Sequence, residues 1–218
     1  TACSVHASGL LVMSATVARW LHLEDDVLGI AGHRDRLVRT ASRPGGVVVT
    51  APHAVPHVRD GVTKRADMWT GGLALLLAEL SGAAAVVETS GYGDPSWETE
   101  HAFKDAVAAL EPVVVLDLHA MRSAEQVVEV GSGEPAGSPP TARARVVRDA
   151  LAAARVETLM DHRFPARGAS TLVQWARGRG LDAVQLEVSV RLVPPFADDD
   201  TVERLVAGLS AAVDACRT

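Results

Sequence analysis

Two apolar runs, each followed by a histidine, are the clearest feature of the hydrophobic pattern. Residues 47–52 precede His53, and residues 113–118 precede His119. Runs of β-branched residues bounded by turn residues are typical of buried strands in a parallel sheet. Open α/β sheets bind ligands beyond the carboxyl ends of such strands. A histidine after a single strand is more often a packed residue, but two of them indicate a candidate metal site.

The remaining pattern alternates strands and helices. It predicts strands at 47–52, 84–88, 113–118, 127–130, 156–160 and 183–189, and helices at 67–81, 99–110, 141–154, 169–179 and 199–216. Loops are predicted at 53–66, 90–96 and 131–140, where glycine, proline and polar residues cluster. Residues 1–45 are less regular, with a short strand near Leu10 to Met13, a helical pattern to about Leu23 and a charged segment at 33–36.

This alternation predicts one α/β domain over residues 1–218, with a mostly parallel sheet and helices on both of its faces. A chain of 218 residues is long enough for a single core of ordinary size. The residues are 48% hydrophobic but only 4% aromatic, so the predicted core is aliphatic.

Charge and cysteine content narrow the classes of partner. The net charge of −6 comes without a basic face, which argues against nucleic acid and anionic membranes. Cys3 and Cys216 are too few for a disulfide framework, and the apolar segment 9–13 is too short to cross a membrane. We therefore expect a soluble cytoplasmic protein with a small-molecule substrate, and the sequence gives no indication of its oligomeric state.

The segment after the first clear strand carries several groups that a hydrolytic site needs. Asp67 opens the next predicted helix, where it can act as an N-terminal cap or as a metal ligand. His57 lies four residues after His53 and can be a second ligand, but the adjacent Pro56 favours a role in substrate binding or in supporting a ligand.

Two later strands carry polar residues in apolar surroundings. Asp117 and His119 point to the same side of their strand, so Asp117 can accept a hydrogen bond from the imidazole nitrogen that does not face a metal. Alternatively, Asp117 caps the next turn. Glu187 lies in an apolar central strand, where an unpaired carboxylate is costly, so it needs a cation or a catalytic role.

These residue types fit zinc-dependent hydrolysis. A zinc site with two histidines and one carboxylate keeps a position for water, and a nearby glutamate can take the proton of that water. Arginine pairs with a substrate carboxylate through two parallel hydrogen bonds. The candidates for that task are Arg59, Arg122, Arg163 and Arg167.

An ordered set of short motifs between residues 46 and 193 resembles the N-formylglutamate amidohydrolase family. Single pieces such as Asp-Leu-His have little specificity, but the ordered set is fairly specific. It comprises Pro52-His53-Ala54, Arg59, Lys64, Asp67, Thr70-Gly71, Asp94-Pro95, Phe103-Lys104, Asp117-Leu118-His119, Val130-Gly131, Phe164-Pro165-Ala166 and Gln185-Leu186-Glu187.

The resemblance implies a phosphorylase/hydrolase-like three-layer α/β/α fold, related to that of zinc carboxypeptidases, and a zinc-dependent amidohydrolase activity. It implies that His53 and His119 are metal ligands, that Asp67 is the third, and that Glu187 is the general base. The zinc carboxypeptidase pattern of a histidine followed three residues later by glutamate is not met, because position 56 is proline. The expected substrate-binding residues are Arg59, Lys64, His57, Arg167 and Arg122.

The chain also departs from the family. It has Ser96-Trp97 after Asp94-Pro95 where the family carries Asn-Tyr, and a lone Gly168 where formylglutamate enzymes have a glycine pair. The expected reaction is therefore broader, namely hydrolysis of an amide in a small N-acyl (N-formyl) amino acid or a short peptide-like substrate. Two alternatives are a zinc peptidase or esterase of the same fold, and a non-catalytic module that binds a small anion through Arg59, Lys64 and Arg167.

Overall fold

A seven-stranded sheet forms the centre of the part of the chain that the structure describes. The structure is a computed structural model that describes residues 13–31, 38–39 and 46–217. The strand order is β1-β5-β2-β6-β9-β7-β8, and β5, β2, β6 and β9 are parallel to one another. β1 pairs antiparallel with β5, and β7 pairs antiparallel with β9 and parallel with β8. The predicted mostly parallel α/β architecture is confirmed.

The strands are β1 (Val38–Arg39), β2 (Val47–Ala51), β3 (His57–Arg59), β4 (Val62–Lys64), β5 (Ala84–Val87), β6 (Val114–Met121), β7 (Val127–Gly131), β8 (Glu157–Met160) and β9 (Asp182–Ser189). The helices are α1 (Ala15–Gly29), α2 (Thr70–Ser81), α3 (Ala102–Ala108), α4 (Ala142–Ala153), α5 (Leu172–Arg177) and α6 (Asp199–Ala215), with one 3₁₀ turn at Val190–Leu192. None of the helices in the described ranges is long and apolar enough to cross a membrane.

Two aliphatic cores hold helices on the two faces of the sheet. Helices α1, α2, α4 and α6 cover one face, where they bury one set of alternating strand residues. Helices α3 and α5 cover the other face over a smaller core that includes Val48, Val115 and Ala183. Alternation along a strand sends successive side chains to opposite faces, so both cores come from the same strands.

The face under α3 and α5 changes from apolar to polar toward the carboxyl ends of the strands. On β2, β6 and β9, the core residue of this face is followed two positions later by a polar residue. These polar residues, Thr50, Asp117 and Gln185, are neighbours in register. Two residues further along β6 and β9, His119 and Glu187 are also neighbours. The polar residues at this end of the sheet therefore share one face.

Three local predictions need correction. The segment predicted as loop 53–66 contains an antiparallel hairpin of β3 and β4, whose turn residues Asp60 and Gly61 have φ of 50° and 74°. An Asp-Gly pair with two positive φ angles is typical of a tight hairpin turn. Helix α2 begins at Thr70 rather than at residue 67, so Asp67 belongs to the preceding loop. Strand β6 extends to Met121, so His119 lies within a strand and not after it.

Helix α1 supports the start of α2, which the sequence pattern does not predict. Helix α1 extends the predicted helical segment to Gly29 and packs on α2. Its Glu24 is fully buried and accepts hydrogen bonds from the backbone N–H groups of Trp69 (2.8 Å) and Gly72 (2.7 Å). A carboxylate there satisfies the unpaired donors at the start of α2. The predicted strand near Leu10 lies, except for Met13, outside the described residues, as does the charged segment 33–36.

Candidate metal centre

Two imidazoles and one carboxylate converge at the carboxyl end of β2 and β6. Asp67 Oδ2 lies 3.3 Å from Nδ1 of His53 and 3.1 Å from Nδ1 of His119. The ring centroids of the two histidines are 4.8 Å apart. One ligand atom from each of the three residues lies within 4.8 Å of the other two. These three residues therefore form a group that could hold a metal ion.

Backbone contacts fix Asp67 in this position. Its N–H donates to the carbonyl of His53 (2.8 Å), which joins the loop to the end of β2. Its own carbonyl accepts from the hydroxyl of Thr70 (2.6 Å). The cap of α2 is instead formed by the Glu24 carboxylate, and Trp69 before the helix has a φ of 77°. The Asp67 carboxylate is therefore not used as a helix cap and points toward the histidines.

The outer nitrogen of each imidazole is held by a second, fully buried carboxylate. His53 Nε2 donates to Asp94 Oδ1 (2.8 Å), and His119 Nε2 donates to Asp117 Oδ2 (3.0 Å). Asp117 in turn accepts from the hydroxyl of Thr50 (2.7 Å), its neighbour on β2. Carboxylate partners of this kind orient a ligating histidine and strengthen it as a donor to metal. The hydrogen bond expected between Asp117 and His119 is thus present.

A second possible group of ligands shares His53 and consists of His57 and Asp94. The rings of His53 and His57 are stacked with centroids 4.2 Å apart, and His57 Nε2 lies 3.2 Å from Asp94 Oδ2 without a regular hydrogen bond. Arg59 Nε already donates to the same Oδ2 (2.6 Å). Because a guanidinium occupies this side of Asp94, His57 and Asp94 are better suited to supporting His53 than to binding an ion together with it.

The charges of the centre balance one another. Burial on its own raises the pKa of Asp67, but hydrogen bonds from His119 and His53 hold it well below its usual range. Burial lowers the pKa of His119, yet the charge and hydrogen bond of Asp117 and the bond to Asp67 raise it well above 6.5. The pKa of His53 is raised in the same way by Asp67 and Asp94, against the effect of burial. The carboxylates therefore favour positive charge at this point.

Glu187 stands beside this group on β9. Its side chain is 7% exposed, and Gln185 Nε2 donates to its Oε1 (3.1 Å). Among the described residues it forms no ion pair. Burial raises its pKa to about 7, with Asp67 and Asp117 adding to the increase and the positive charge of His119 opposing it. A carboxylate in this state can exchange a proton near neutral pH.

The group opens into a cavity of about 570 Å³, which we call the metal cavity. Its lining comprises His53, Arg59, Asp67, Ser96, Trp97, His119, Ala120, Met121, Arg122, Phe164, Gly168, Ser170, Thr171, Gln185 and Glu187. The guanidinium of Arg59 lies 5.0 Å from the centre of the Trp97 ring. Beyond its Nε bond to Asp94, no contact of this guanidinium with another polar group is found in the described residues.

The other expected substrate-binding residues divide between the cavity and the surface. Arg122 lines the metal cavity, whereas His57 is buried behind His53. Lys64 lies on the exposed hairpin strand β4 and does not line the cavity. Arg167 is also outside the lining and donates to the carbonyl of Glu134 (2.6 Å).

Sequence reasoning missed two supports of this cavity. Glu129 on β7, opposite Glu187 in register, accepts from the side chain (2.6 Å) and backbone (2.9 Å) of Arg163 and so fixes the segment that carries Phe164. Arg163 is thereby occupied rather than available for substrate. The buried Lys104 donates to the carbonyls of Glu98 (2.5 Å) and Ser170 (2.8 Å), which joins two loops of the cavity wall. The sequence signal that could have indicated both supports is a charged residue in a largely apolar element, namely Glu129 in β7 and Lys104 in α3.

Comparison with known proteins identifies the fold. No known family model matches the chain, and no curated protein matches it. The structure is similar to a bacteriophage poly-gamma-glutamate hydrolase, with a TM-score of 0.56, 13% identity and coverage of 82% of this chain and 88% of that one. It is also similar to an N-formylglutamate amidohydrolase from Ralstonia eutropha, with a TM-score of 0.55, 11% identity and coverage of 82% and 96%. At these identities the likeness establishes a shared hydrolase-like α/β fold.

Proposed function

We propose that the protein is a zinc-dependent hydrolase that cleaves an amide bond in a small N-acyl amino acid or short peptide-like substrate. The observation that carries the proposal is that the Nδ1 atoms of two imidazoles lie 3.3 and 3.1 Å from one carboxylate oxygen of Asp67. The outer nitrogen of each ring is bound to a buried carboxylate. The protein names of the two neighbours with the same fold, a hydrolase and an amidohydrolase, agree with this proposal.

The donor set fits zinc. Zinc binds neutral imidazole nitrogens and carboxylate oxygens with bonds of about 2.0–2.2 Å, so two ligands of one ion lie at most about 4.2 Å apart. The separations of 3.1 and 3.3 Å from Asp67 to His119 and His53 are within this limit. When bound at these three residues, a divalent cation supplies an electrophile that activates water and polarises a substrate carbonyl.

Glu187 is the proposed general base. It is buried beside His119, lines the metal cavity and has no cationic partner among the described residues. It accepts a proton from the attacking water as the new bond to the acyl carbon forms. It then delivers that proton to the leaving nitrogen as the carbon–nitrogen bond breaks, so the products are a carboxylic acid and a free amine.

Arg59 is the proposed binding partner for the carboxylate of the amino acid part. The Trp97 ring and the Asp94 carboxylate hold its guanidinium, and its terminal nitrogens are left to form paired hydrogen bonds with a carboxylate. Because Asp94 also binds His53, the substrate-binding arginine and one metal ligand share a support. This link fixes the distance between the bound carboxylate and the reacting amide.

The test uses purified full-length protein loaded with zinc and a panel of N-formyl and N-acetyl amino acids. Glu187→Gln keeps the size and polarity of the side chain but cannot accept a proton, so we expect it to retain zinc and fold while kcat falls about 10²–10⁴-fold. The matched control is Glu157→Gln, an exposed glutamate at the start of β8, which should leave zinc content and kcat unchanged.

Three outcomes contradict parts of the proposal. If Glu187→Gln retains full activity, Glu187 is not the base. If the variant loses zinc together with activity, Glu187 is a ligand and the role of Asp67 must be reassigned. If the wild-type protein binds zinc and N-acyl amino acids but hydrolyses none of the panel, the protein is not an enzyme for these substrates.

A further inference from the structure

A second cavity, of about 540 Å³, adjoins the metal cavity. Its lining comprises Arg65, Ala66, Asp67, Met68, Trp69, Ala120, Arg122, Ser123, Val190, Arg191 and Phe196, and we call it the arginine cavity. Asp67, Ala120 and Arg122 line both cavities. A substrate that reaches the candidate metal ligands can therefore extend across these three residues into the second space.

The three arginines of this cavity differ from most of the other arginines that the structure describes. Eight other arginines form ion pairs with carboxylates, namely Arg19, Arg59, Arg143, Arg148, Arg163, Arg177, Arg204 and Arg217. Arg65, Arg122 and Arg191 are exposed, and their guanidinium groups contact no carboxylate or other polar group of the described residues. In a chain of net charge −6, three such cations around one cavity indicate a site for an anion.

The walls between these arginines are apolar. Met68 and Phe196 are 49% and 57% exposed, and Trp69 and Val190 complete the surface. Asp67 is the carboxylate at the junction, and its Oδ2 is already engaged by the two histidines. Apolar walls with a cationic rim favour a ligand that combines a short aliphatic segment with a terminal carboxylate.

The direction of the substrate follows from the positions of the arginines. Arg59, the proposed partner of the amino acid carboxylate, lies in the metal cavity with Trp97 and does not line the arginine cavity. The acyl part of the same substrate then points away from Arg59, toward the residues that the two cavities share. This direction rests on the function proposed above.

We propose that the arginine cavity binds the anionic end of an extended acyl group, so that the substrate is an N-acyl amino acid whose acyl part carries its own carboxylate. Arg65 and Arg191 bind that carboxylate, and Arg122 lies at the entrance. A formyl group is too short to reach this cavity. The substrate class is therefore N-succinyl-like or N-glutaryl-like compounds, or a peptide joined through an acidic side chain.

The test measures equilibrium binding by calorimetry to zinc-loaded and to zinc-free protein. The probes are N-succinyl-L-alanine and N-succinamoyl-L-alanine, which differ only by a terminal carboxylate or amide. We expect about tenfold tighter binding of the succinyl compound, since charge-assisted hydrogen bonds are the stronger ones. The preference should weaken as salt is added, because the arginines are exposed.

Variants assign the preference to the cavity. Arg65→Gln and Arg191→Gln should each lose most of it, and the double variant all of it. Arg155→Gln is the matched control, because Arg155 is exposed, has no described side-chain partner and lies outside both cavities. A preference that is absent in the wild type, or that persists in the double variant, overturns the proposal.

A second probe pair checks the direction. N-acetyl-L-glutamate and N-acetyl-L-glutamine place the charge difference on the amine side. If only this pair shows a preference that depends on Arg65 and Arg191, the cavity binds the amine side and the proposed direction is wrong. Hydrolysis followed in parallel separates the two proposals: zinc-dependent hydrolysis without a succinyl preference refutes the arginine cavity alone, and a succinyl preference without hydrolysis of any compound refutes the enzymatic function alone.

Discussion

The two adjoining cavities differ in how their charged groups are held. In the metal cavity, charged side chains are largely buried and bound to at least one other side chain, as His53 is to Asp67 and Asp94. In the arginine cavity, three guanidinium groups are exposed and contact no other polar group of the described residues. One region is fixed by the fold, and the other is free to adjust.

Under the proposed function, this difference separates the groups that react from the groups that recognise the substrate. Reacting groups need positions set before the substrate arrives, because a small displacement costs rate. Exposed arginines lose conformational entropy when they bind a ligand, but their side chains can adopt different conformations for substrates of different length. We therefore expect substitutions in the metal cavity to affect metal binding and rate, and substitutions in the arginine cavity to affect the choice of substrate.

Asp67 and Arg122 line both cavities and offer the sharpest contrast. Asp67→Asn removes the charge of the proposed third ligand and should lower zinc affinity by more than about 100-fold, since outer partners of ligands alone are worth about 10–100-fold. Arg122→Gln should leave zinc affinity unchanged. Zinc titration of both variants by calorimetry checks this, and unchanged affinity in Asp67→Asn would mean that Asp67 only orders the loop before α2.

The buried carboxylates behind the histidines should come next in size. Asp94→Asn and Asp117→Asn remove the acceptors of the outer imidazole nitrogens, so each should weaken zinc binding about 10–100-fold. The control is Asp149→Asn, at a side chain that is 66% exposed and paired only with Arg148. Equal zinc affinity in all three variants would contradict the proposed support of the ligands.

Zinc should stabilise the protein more at higher pH. The pKa values of His53 and His119 are raised above 6.5 in the fold by the neighbouring carboxylates, against the effect of burial. Their protons stabilise the metal-free fold fully below about 6.5, the unfolded value, and this contribution is lost as pH rises through the raised folded values. Zinc competes with these protons, so the increase in Tm on adding zinc should be larger at about pH 8 than at about pH 6.

A thermal shift series with and without zinc measures this difference. The same increase in Tm at both pH values would show that zinc does not displace protons from the two imidazoles. His119→Ala serves as the control, because a variant without this ligand should show little zinc-dependent shift at either pH.

The last prediction concerns the stability of the fold where α1 packs on α2, at Gly72 and Glu24, which line neither cavity. A Cβ at Gly72 would lie 2.7 Å from the backbone nitrogen of Glu24, so Gly72→Ala should lower the free energy of unfolding by about 1–3 kcal/mol. Gly29→Ala is the control, because nothing lies within 4 Å of a Cβ there. Denaturant titration compares the two variants, and equal stability would mean that the helices separate without cost.

The fold was largely predictable because each strand and helix has its own hydrophobic period. The hairpin β3–β4 was missed even though Asp60-Gly61 is a strong turn signal, since its strands have only three residues each. The start of α2 was placed three residues early, because the cap comes from Glu24 on a distant helix and not from Asp67. A local pattern cannot report a cap that another part of the chain provides.

The candidate site likewise contains residues that the sequence pattern indicates and contacts that depend on distant parts of the chain. The sequence indicates His53, His119 and Glu187 as candidates because each is a polar residue at or near the end of an apolar strand, and the structure brings the three into one cavity. The contacts of Asp94 and the arginine cavity were not predicted, because both depend on loops that only the fold brings together. A surface arginine is common, so it takes the structure to recognise that Arg65 and Arg191 have no carboxylate partner among the described residues.

The central claim is that His53, His119 and Asp67 bind one metal ion, and a zinc titration of the purified full chain tests it most directly. Calorimetry on chelator-treated protein should give one zinc per chain for the wild type. His53→Ala and His119→Ala should each lose this binding while the far-ultraviolet circular dichroism spectrum stays unchanged. If the wild type binds no zinc, or if both variants bind it as the wild type does, the metal centre and the function built on it are wrong.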